Sequence, residues 1–292
     1  MASKQNVVAA TSLLTAALVW GLIWYPYRVL GAAGMSGMAA IVVSYTLALG
    51  LGMALSGPLW RECGKAGWIG LLLPLSAGWA NLGYVLGTLD GAVMRVLLLF
   101  YLAPLWTVGL SRLLLGERLD RYGYAVAALS LTGAFIMLWE PRLGWPWPQS
   151  LAEWFGLSAG FSFALSNVLV RRAEHLSVNY KSASVWLGTA ILTLGAMLFM
   201  GRAGELVELP ISQLWLLGML GVVLCATSFI VQFGLTHLPA NRSIVLFLSE
   251  LVFAAIAAYF LAGEAMGARE LCGAVLIVSA SLMSGKIQGE GR

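Results

Sequence analysis

Arg95-Val-Leu-Leu-Leu-Phe100 and Arg242-Ser-Ile-Val-Leu-Phe247 stand 147 positions apart, and the same spacing separates Gly116-Glu117 from Gly263-Glu264 and Gly87 from Gly234. Each Arg-to-Phe stretch opens an apolar run, and each Gly-Glu pair follows one. A spacing that holds from residue 87 through residue 117 reads as an internal repeat. A second alignment, Ala16 to Arg28 against Ala159 to Arg171, runs at a slightly different offset.

The surroundings of these stretches fix their solvent. The 292-residue chain is 60% hydrophobic and 10% charged, with mean hydropathy +0.86. A soluble domain carries about 25% charged residues. Too little polar surface remains here to cover a globule in water, and no stretch is polar enough to be a separate soluble domain. A spanning helix needs roughly 20 mostly apolar residues. Ten stretches qualify: 7–26, 36–56, 66–87, 92–112, 121–139, 151–170, 181–201, 211–234, 241–262 and 269–286. The runs do not alternate as barrel strands do. The first, Val7 to Trp24, resembles a secretory h-region, but nine apolar segments follow it, so it reads as a retained helix.

The expected fold is therefore an all-α integral membrane protein of ten transmembrane helices. Residues 1–147 hold the first five and residues 148–292 the second five, within one membrane domain. Five is odd, so the second set enters the bilayer from the other side, giving a 5+5 inverted-topology repeat of the kind transporters use. With the N-terminus inside, twelve Lys and Arg residues fall on the cytoplasmic side and five (Arg28, Arg95, Arg142, Arg202 and Arg269) outside. This positive-inside bias puts both termini in the cytoplasm and the protein in the cell (inner) membrane. The basic residues are topology signals between apolar runs, so no nucleic-acid partner is expected. Cys63, Cys225 and Cys272 have no pairing logic and read as apolar filler.

The motifs Leu115-Gly-Glu-Arg-Leu119, Ala240-Asn-Arg-Ser-Ile-Val-Leu-Phe247 and Ala262-Gly-Glu264, with the ten spans and the repeat, resemble the EamA-like branch of the drug/metabolite transporter superfamily over nearly the whole chain. Within it, the chain is similar to bacterial exporters of aromatic and other amino acids. The resemblance implies a secondary transporter or facilitator working by alternating access, with no cofactor and no catalysis. Its partners would be a small-molecule substrate and the lipid bilayer, and two repeats in one chain can work as a monomer. One departure stands out. The family often places an acidic or polar residue before a proline within helices 4 and 9. Here the aligned positions are Ala103-Pro104 and Glu250-Leu251, so one half keeps the proline and the other the acid.

Candidate site residues follow from what lipid forbids. Glu250 lies near the middle of span nine, where a carboxylate costs about 2.5–3.5 kcal/mol on insertion scales. It should face the bundle interior, as a partner for a substrate ammonium or as a proton site, or else serve as a structural hydrogen bond. Ser243, Phe247 and Glu250 share a face. Further wall candidates are Trp20 and Trp24 in span one, Trp79, Asn81 and Tyr84 in span three, Tyr101 in span four, Phe163, Ser166 and Asn167 in span six, and Gln232 in span eight. Ordinary packing and interhelical hydrogen bonds are the competing explanation for all of them. Pro74 and Pro104, inside spans, are candidate hinges. Arg95 and Arg242 read as snorkelling to the interface, with Asp90 a partner for Arg95, and Glu117 and Glu264 read as loop-fixing acids.

Other chemistry is poorly supported. Gly156-Leu-Ser-Ala-Gly160 matches a nucleophile pattern, but inside a helix rather than at a strand-to-helix turn. His175 and His237 suggest no metal site, and there is no P-loop. One act, the transport of amino acids or similar metabolites, fits best. A proton-coupled drug or metabolite antiporter is the alternative within transport, and an intramembrane enzyme or a membrane sensor is the alternative outside it.

Overall fold

The computed structural model describes residues 2–56, 60–90, 93–139, 142, 147–207, 211–263 and 267–287. The helices, in order, are α1 (Ala2–Ala32), α2 (Gly37–Leu55), α3 (Trp60–Ala66), α4 (Ile69–Asp90), α5 (Val93–Phe100), α6 (Ala103–Leu114) and α7 (Arg121–Leu138). Then come α8 (Leu151–Arg172), α9 (Val178–Phe199), α10 (Leu214–His237), α11 (Ala240–Phe247), α12 (Ser249–Ala262) and α13 (Ala268–Met283). Among the described residues, nine stretches are long and apolar enough to cross a membrane, counting α5 with α6 and α11 with α12 as one each. The protein is thus a multi-pass, all-α integral membrane protein. The helix α8, at 22 residues, is as long as the others, but Glu153, Arg171 and Arg172 at its ends and several serines make it less apolar.

Short polar residues start these helices by accepting a free backbone N–H, a need lipid makes acute. Ser36 accepts from Ala39 N at 3.2 Å, Asp120 from Gly123 N at 2.7 Å, Ser150 from Glu153 N at 3.3 Å and Ser177 from Tyr180 N at 3.1 Å. The glycines of the two Gly-Glu pairs end helices. Gly116 has φ +72° and Gly263 φ +68°, a left-handed conformation that a side chain resists. Both glycines, 147 positions apart, thus stand where the backbone needs them.

Successive helices run back and forth. Residues 60–68, 115–120, 173–177 and 238–239 gather at the face from which α1 starts, here the terminal face. There Ser177 Oγ donates to Glu62 at 2.6 Å, Ala240 N donates to Glu117 at 2.9 Å, and the Tyr122 hydroxyl donates to the Met283 carbonyl at 2.9 Å. The turns near residues 33–36 and 147–150 lie at the opposite face.

Small residues set how close the helices come. A Cβ on Gly87 would stand 2.8 Å from the Ala152 carbonyl oxygen, and one on Gly156 2.8 Å from that of Val96. So α8 sits tightly against both α4 and α5 through Gly83-x-x-x-Gly87 and Gly156-x-x-x-Gly160, whose glycines admit close helix contact. Gly188 opposes the carbonyl of Pro74, which lets α9 cross α4. Gly21 does the same for α1 on α12: its Cβ would stand 2.8 Å from Phe253 Cβ and 2.9 Å from the Glu250 carbonyl oxygen. Thus α5 and α6 lean on α8, and α11 and α12 lean on α1.

Two expectations change. Spans four and nine are not single helices: each is divided, at Tyr101–Leu102 and at Leu248. The resulting eight-residue helices α5 and α11 begin at residues 93 and 240 and end at 100 and 247, so they keep the 147-residue spacing. Pro104 accordingly sits in the first turn of α6, just past the break, where its missing N–H costs nothing. Pro74 stays inside the unbroken α4.

Candidate functional site

The two breaks face each other. Phe100, Tyr101, Ala103 and Pro104 from the first, and Ile244, Phe247, Leu248 and Glu250 from the second, enclose a cavity of about 10 Å³ together with Phe163 of α8. That is room for about one water. The hydrogen-bond ladder loosens here: Leu102 N reaches Leu99 O at 3.4 Å, and Leu251 N reaches Leu248 O at 3.1 Å, three residues back rather than four.

Glu250 is not remote from a helix end, as its place in span nine suggests. It lies in the first turn of α12, where free N–H groups favour a negative charge. Tyr101, from the other break, lines the same cavity. An aromatic chain lines the rest. Tyr84 and Phe100 centroids are 5.3 Å apart, Phe100 and Tyr101 5.4 Å, Phe100 and Phe163 5.5 Å, and Phe163 and Phe247 5.7 Å. These are edge-to-face or tilted pairs, each contributing about 0.5–1.5 kcal/mol beyond area burial. Tyr84, Tyr101, Phe163, Phe247 and Glu250, all singled out from sequence, thus come together, and Phe100 joins them unannounced.

The other candidates lie elsewhere. The Trp79 indole donates to Ser158 Oγ at 3.1 Å, across the α4–α8 contact. Asn81 is held on another side of α4: it accepts from the Tyr45 hydroxyl at 2.9 Å and donates to Thr189 Oγ1 at 3.3 Å and to the Ala77 carbonyl. Trp20 packs in the apolar core between α1, α8 and α10, and Trp24 sets its ring 5.7 Å from that of Tyr25. Ser166 Oγ donates back to the Phe163 carbonyl at 2.9 Å. Asn167 and Gln232 are both buried, and each leaves one side-chain atom unpaired, Nδ2 and Oε1 respectively.

Polar ties close both ends of the bundle beyond the cavity. At the opposite face, Arg95 Nε lies 2.9 Å from Glu153, and both side chains are 8% exposed. Arg95 also donates to the Trp147 carbonyl, and Glu153 accepts from Gln149 N at 2.8 Å. Arg95 therefore does not snorkel; it holds α5 to the start of α8. The Asp90 side chain and Glu264 lie outside the described residues.

At the terminal face, Glu117 accepts from Ala240 N and lies 3.5 Å from Arg171 of α8, whose guanidinium donates to the Thr236 carbonyl. Burial pushes the Glu117 carboxyl above the usual carboxylate range, and the Ala240 N–H and Arg171 pull it back. Lys181, which reads from sequence as a loop-side charge, is wholly buried and donates to Thr236 Oγ1 at 2.6 Å and to the Ala173 carbonyl at 3.1 Å. Asn241 Nδ2 donates to Ser111 Oγ at 2.9 Å.

Comparison with known proteins agrees with this architecture. The profile of the EamA-like transporter family matches residues 150–285. An uncharacterized transporter of Archaeoglobus fulgidus is 30% identical over 205 residues, 69% of this chain and 70% of that one. A protein crystal structure superposes with a TM-score of 0.75 at 18% identity, covering 94% of this chain and 96% of the other, a likeness of fold. The family is one of transporters, and nothing in the cavity assembles a nucleophile with a base. The chain belongs to the EamA-like transporter family, within the drug/metabolite transporter superfamily.

Proposed function

We propose that the protein is a ten-helix secondary carrier, with α8 as its tenth span, built as a 5+5 inverted repeat of residues 1–147 and 148–292. It exports amino acids, aromatic or neutral, or similar small metabolites by alternating access. The observation that carries this reading is the pairing of the breaks: two helices interrupted at corresponding places in the two halves, meeting at one cavity. Discontinuous helices of that kind are where transporters bind. Glu250 would hold a substrate ammonium group, and Tyr84, Phe100, Tyr101, Phe163 and Phe247 would hold an apolar or aromatic side chain. A cavity of about 10 Å³ is far too small for an amino acid. Loading therefore requires α5/α6 and α11/α12 to part, with the ties at one face released while those at the other hold. Both termini would lie in the cytoplasm, as the excess of Lys and Arg at the terminal face favours, and one chain would suffice.

Purified protein in liposomes tests this. Uptake of labelled L-phenylalanine and L-threonine should occur, and a cross-link between α5 and α11 should stop it. Full uptake by cross-linked protein would refute alternating access; uptake of neither solute would refute the substrate class. Proton antiport is the second reading, favoured by the lone acid at the break. It predicts uptake that is driven by a pH gradient and lost in Glu250→Gln.

A further inference from the structure

Between the Glu250 cavity and the ties of the terminal face lies a polar level that the cavity does not use. Phe163, Asn167 and Arg171 follow one another at four-residue intervals on α8, so they form one stripe. Phe163 lines the cavity and Arg171 belongs to the terminal ties, which sets Asn167 midway. On α10, Gln232 precedes Thr236 by the same interval, and Thr236 Oγ1 donates to the Gln232 carbonyl at 2.6 Å. Arg171 of α8 donates to the Thr236 carbonyl of α10, so the ends of these two helices meet at the terminal face, with Asn167 and Gln232 each one turn back from that contact.

Asn167 is 6% exposed and Gln232 4%, yet Asn167 Nδ2 has no acceptor and Gln232 Oε1 no donor. Native interiors leave few such groups unmet, because each forfeits its hydration without return. Around them Ser166, Ser228 and Thr236 all find partners, while Ser182 Oγ, Thr193 Oγ1 and Asn241 Oδ1 are also buried without one. A lone apolar residue at either position would pack at no such cost.

We propose that Asn167 and Gln232 form a second polar station for the carried solute, between the Glu250 cavity and the Glu117–Arg171 tie. A solute acceptor takes the Asn167 Nδ2 hydrogens there, and a solute donor meets Gln232 Oε1. The α-carboxylate and α-ammonium of an amino acid supply one of each, so the station suits a zwitterion and rejects a hydrocarbon or a simple cation. It rests on the reading that the chain carries a solute past Glu250. A solute passing from the cavity toward the terminal face meets it as soon as Phe163 and Phe247 part, before Arg171 releases Thr236.

The test uses the full chain in liposomes with labelled L-threonine and L-phenylalanine, beside Asn167→Leu and Gln232→Met, which are apolar and of similar size. Each variant should raise the half-saturation concentration by about tenfold, while the thermal midpoint of the purified protein holds or rises because an unmet polar group is gone. Asn167→Asp, which puts an acceptor where the donor was, should raise half-saturation at least as much and serves if the leucine variant fails to fold. Parent-like half-saturation in the folded variants would overturn the station while leaving the carrier reading standing. A parent chain that takes up neither solute would overturn the carrier reading first, and the station with it.

Discussion

The broken helix of the first half and that of the second differ in how they are tied. The pair α5/α6 is fastened to α8 at both ends, by Arg95 to Glu153 at one face and, just past α6, by Glu117 to Arg171 at the other. Arg172 adds a hydrogen bond to the Leu114 carbonyl. The pair α11/α12 lies against α1, and among the described residues no ion pair joins them. Arg242 holds the position that matches Arg95, but its Nε is buried without a partner. At the terminal face α11 hangs instead from Glu117 and Ser111, that is, from the first half. The two breaks are alike in register, yet one sits in a strapped unit and the other on a bare helix contact with a glycine at its centre. The carboxylate of Glu250 belongs to the second. We expect α12 to be the element that tilts, and α5/α6 with α8 to move as one body.

Four measurements can break or sharpen that contrast. The largest effect belongs to the straps. Arg95→Ala strands Glu153 in the interior and should cost about 3–5 kcal/mol in unfolding measured in lipid-like micelles. Arg242→Ala should cost less than about 1 kcal/mol in the same assay, and equal costs would erase the distinction. Next is the pivot. Gly21→Ala pushes a methyl group against Phe253 and the Glu250 backbone and should destabilise by about 1–3 kcal/mol. If α12 is the moving element, uptake should slow more than stability falls.

Glu250→Gln comes third. It keeps the size of the side chain and removes the charge, so uptake of neutral amino acids should fall about tenfold, the discrimination lost with one charged hydrogen bond, while the thermal midpoint does not drop. A fall in midpoint with undiminished uptake would make this acid a structural one. Smallest is Pro104→Ala. The break at Leu248 forms without proline, so removing Pro104 should leave the first break in place and change stability by less than about 1 kcal/mol, with the bend read by spin-label distances across it. A straightened α5/α6 would show that the two breaks have different origins.

The apolar runs were legible because each rests on local residue chemistry over about 20 positions. The breaks were half legible. Pro104 marks the first, but Leu248 keeps right-handed dihedrals (φ −60°, ψ −18°) and carries no glycine or proline, so nothing local announces the second. The cavity lining followed from large rings and an acid at mid-span, whereas Phe100 passed for one more apolar residue of its run. Asn81 illustrates the limit of polarity as a signal, because depth in a span does not say which face a side chain takes. The Arg95–Glu153 strap was missed for a different reason. Ser150-Leu-Ala-Glu153 is a capping pattern, and Glu153 does serve the helix start through Gln149 N. Its second partner lies 58 positions away in sequence, where only the fold brings it.

The strap at each face also governs what the membrane voltage can act on. Arg95 with Glu153, and Glu117 with Arg171, are internally neutral pairs. A potential of 100 mV works on an unpaired elementary charge with about 2.3 kcal/mol and on such a pair hardly at all. Among the described residues Glu250 is the ionisable acid left near the middle of the field. Whether it travels ionised and empty, ionised with a substrate ammonium beside it, or protonated fixes the charge moved per cycle. At the cavity, one acid beside a helix break is thereby the group on which the membrane voltage can act.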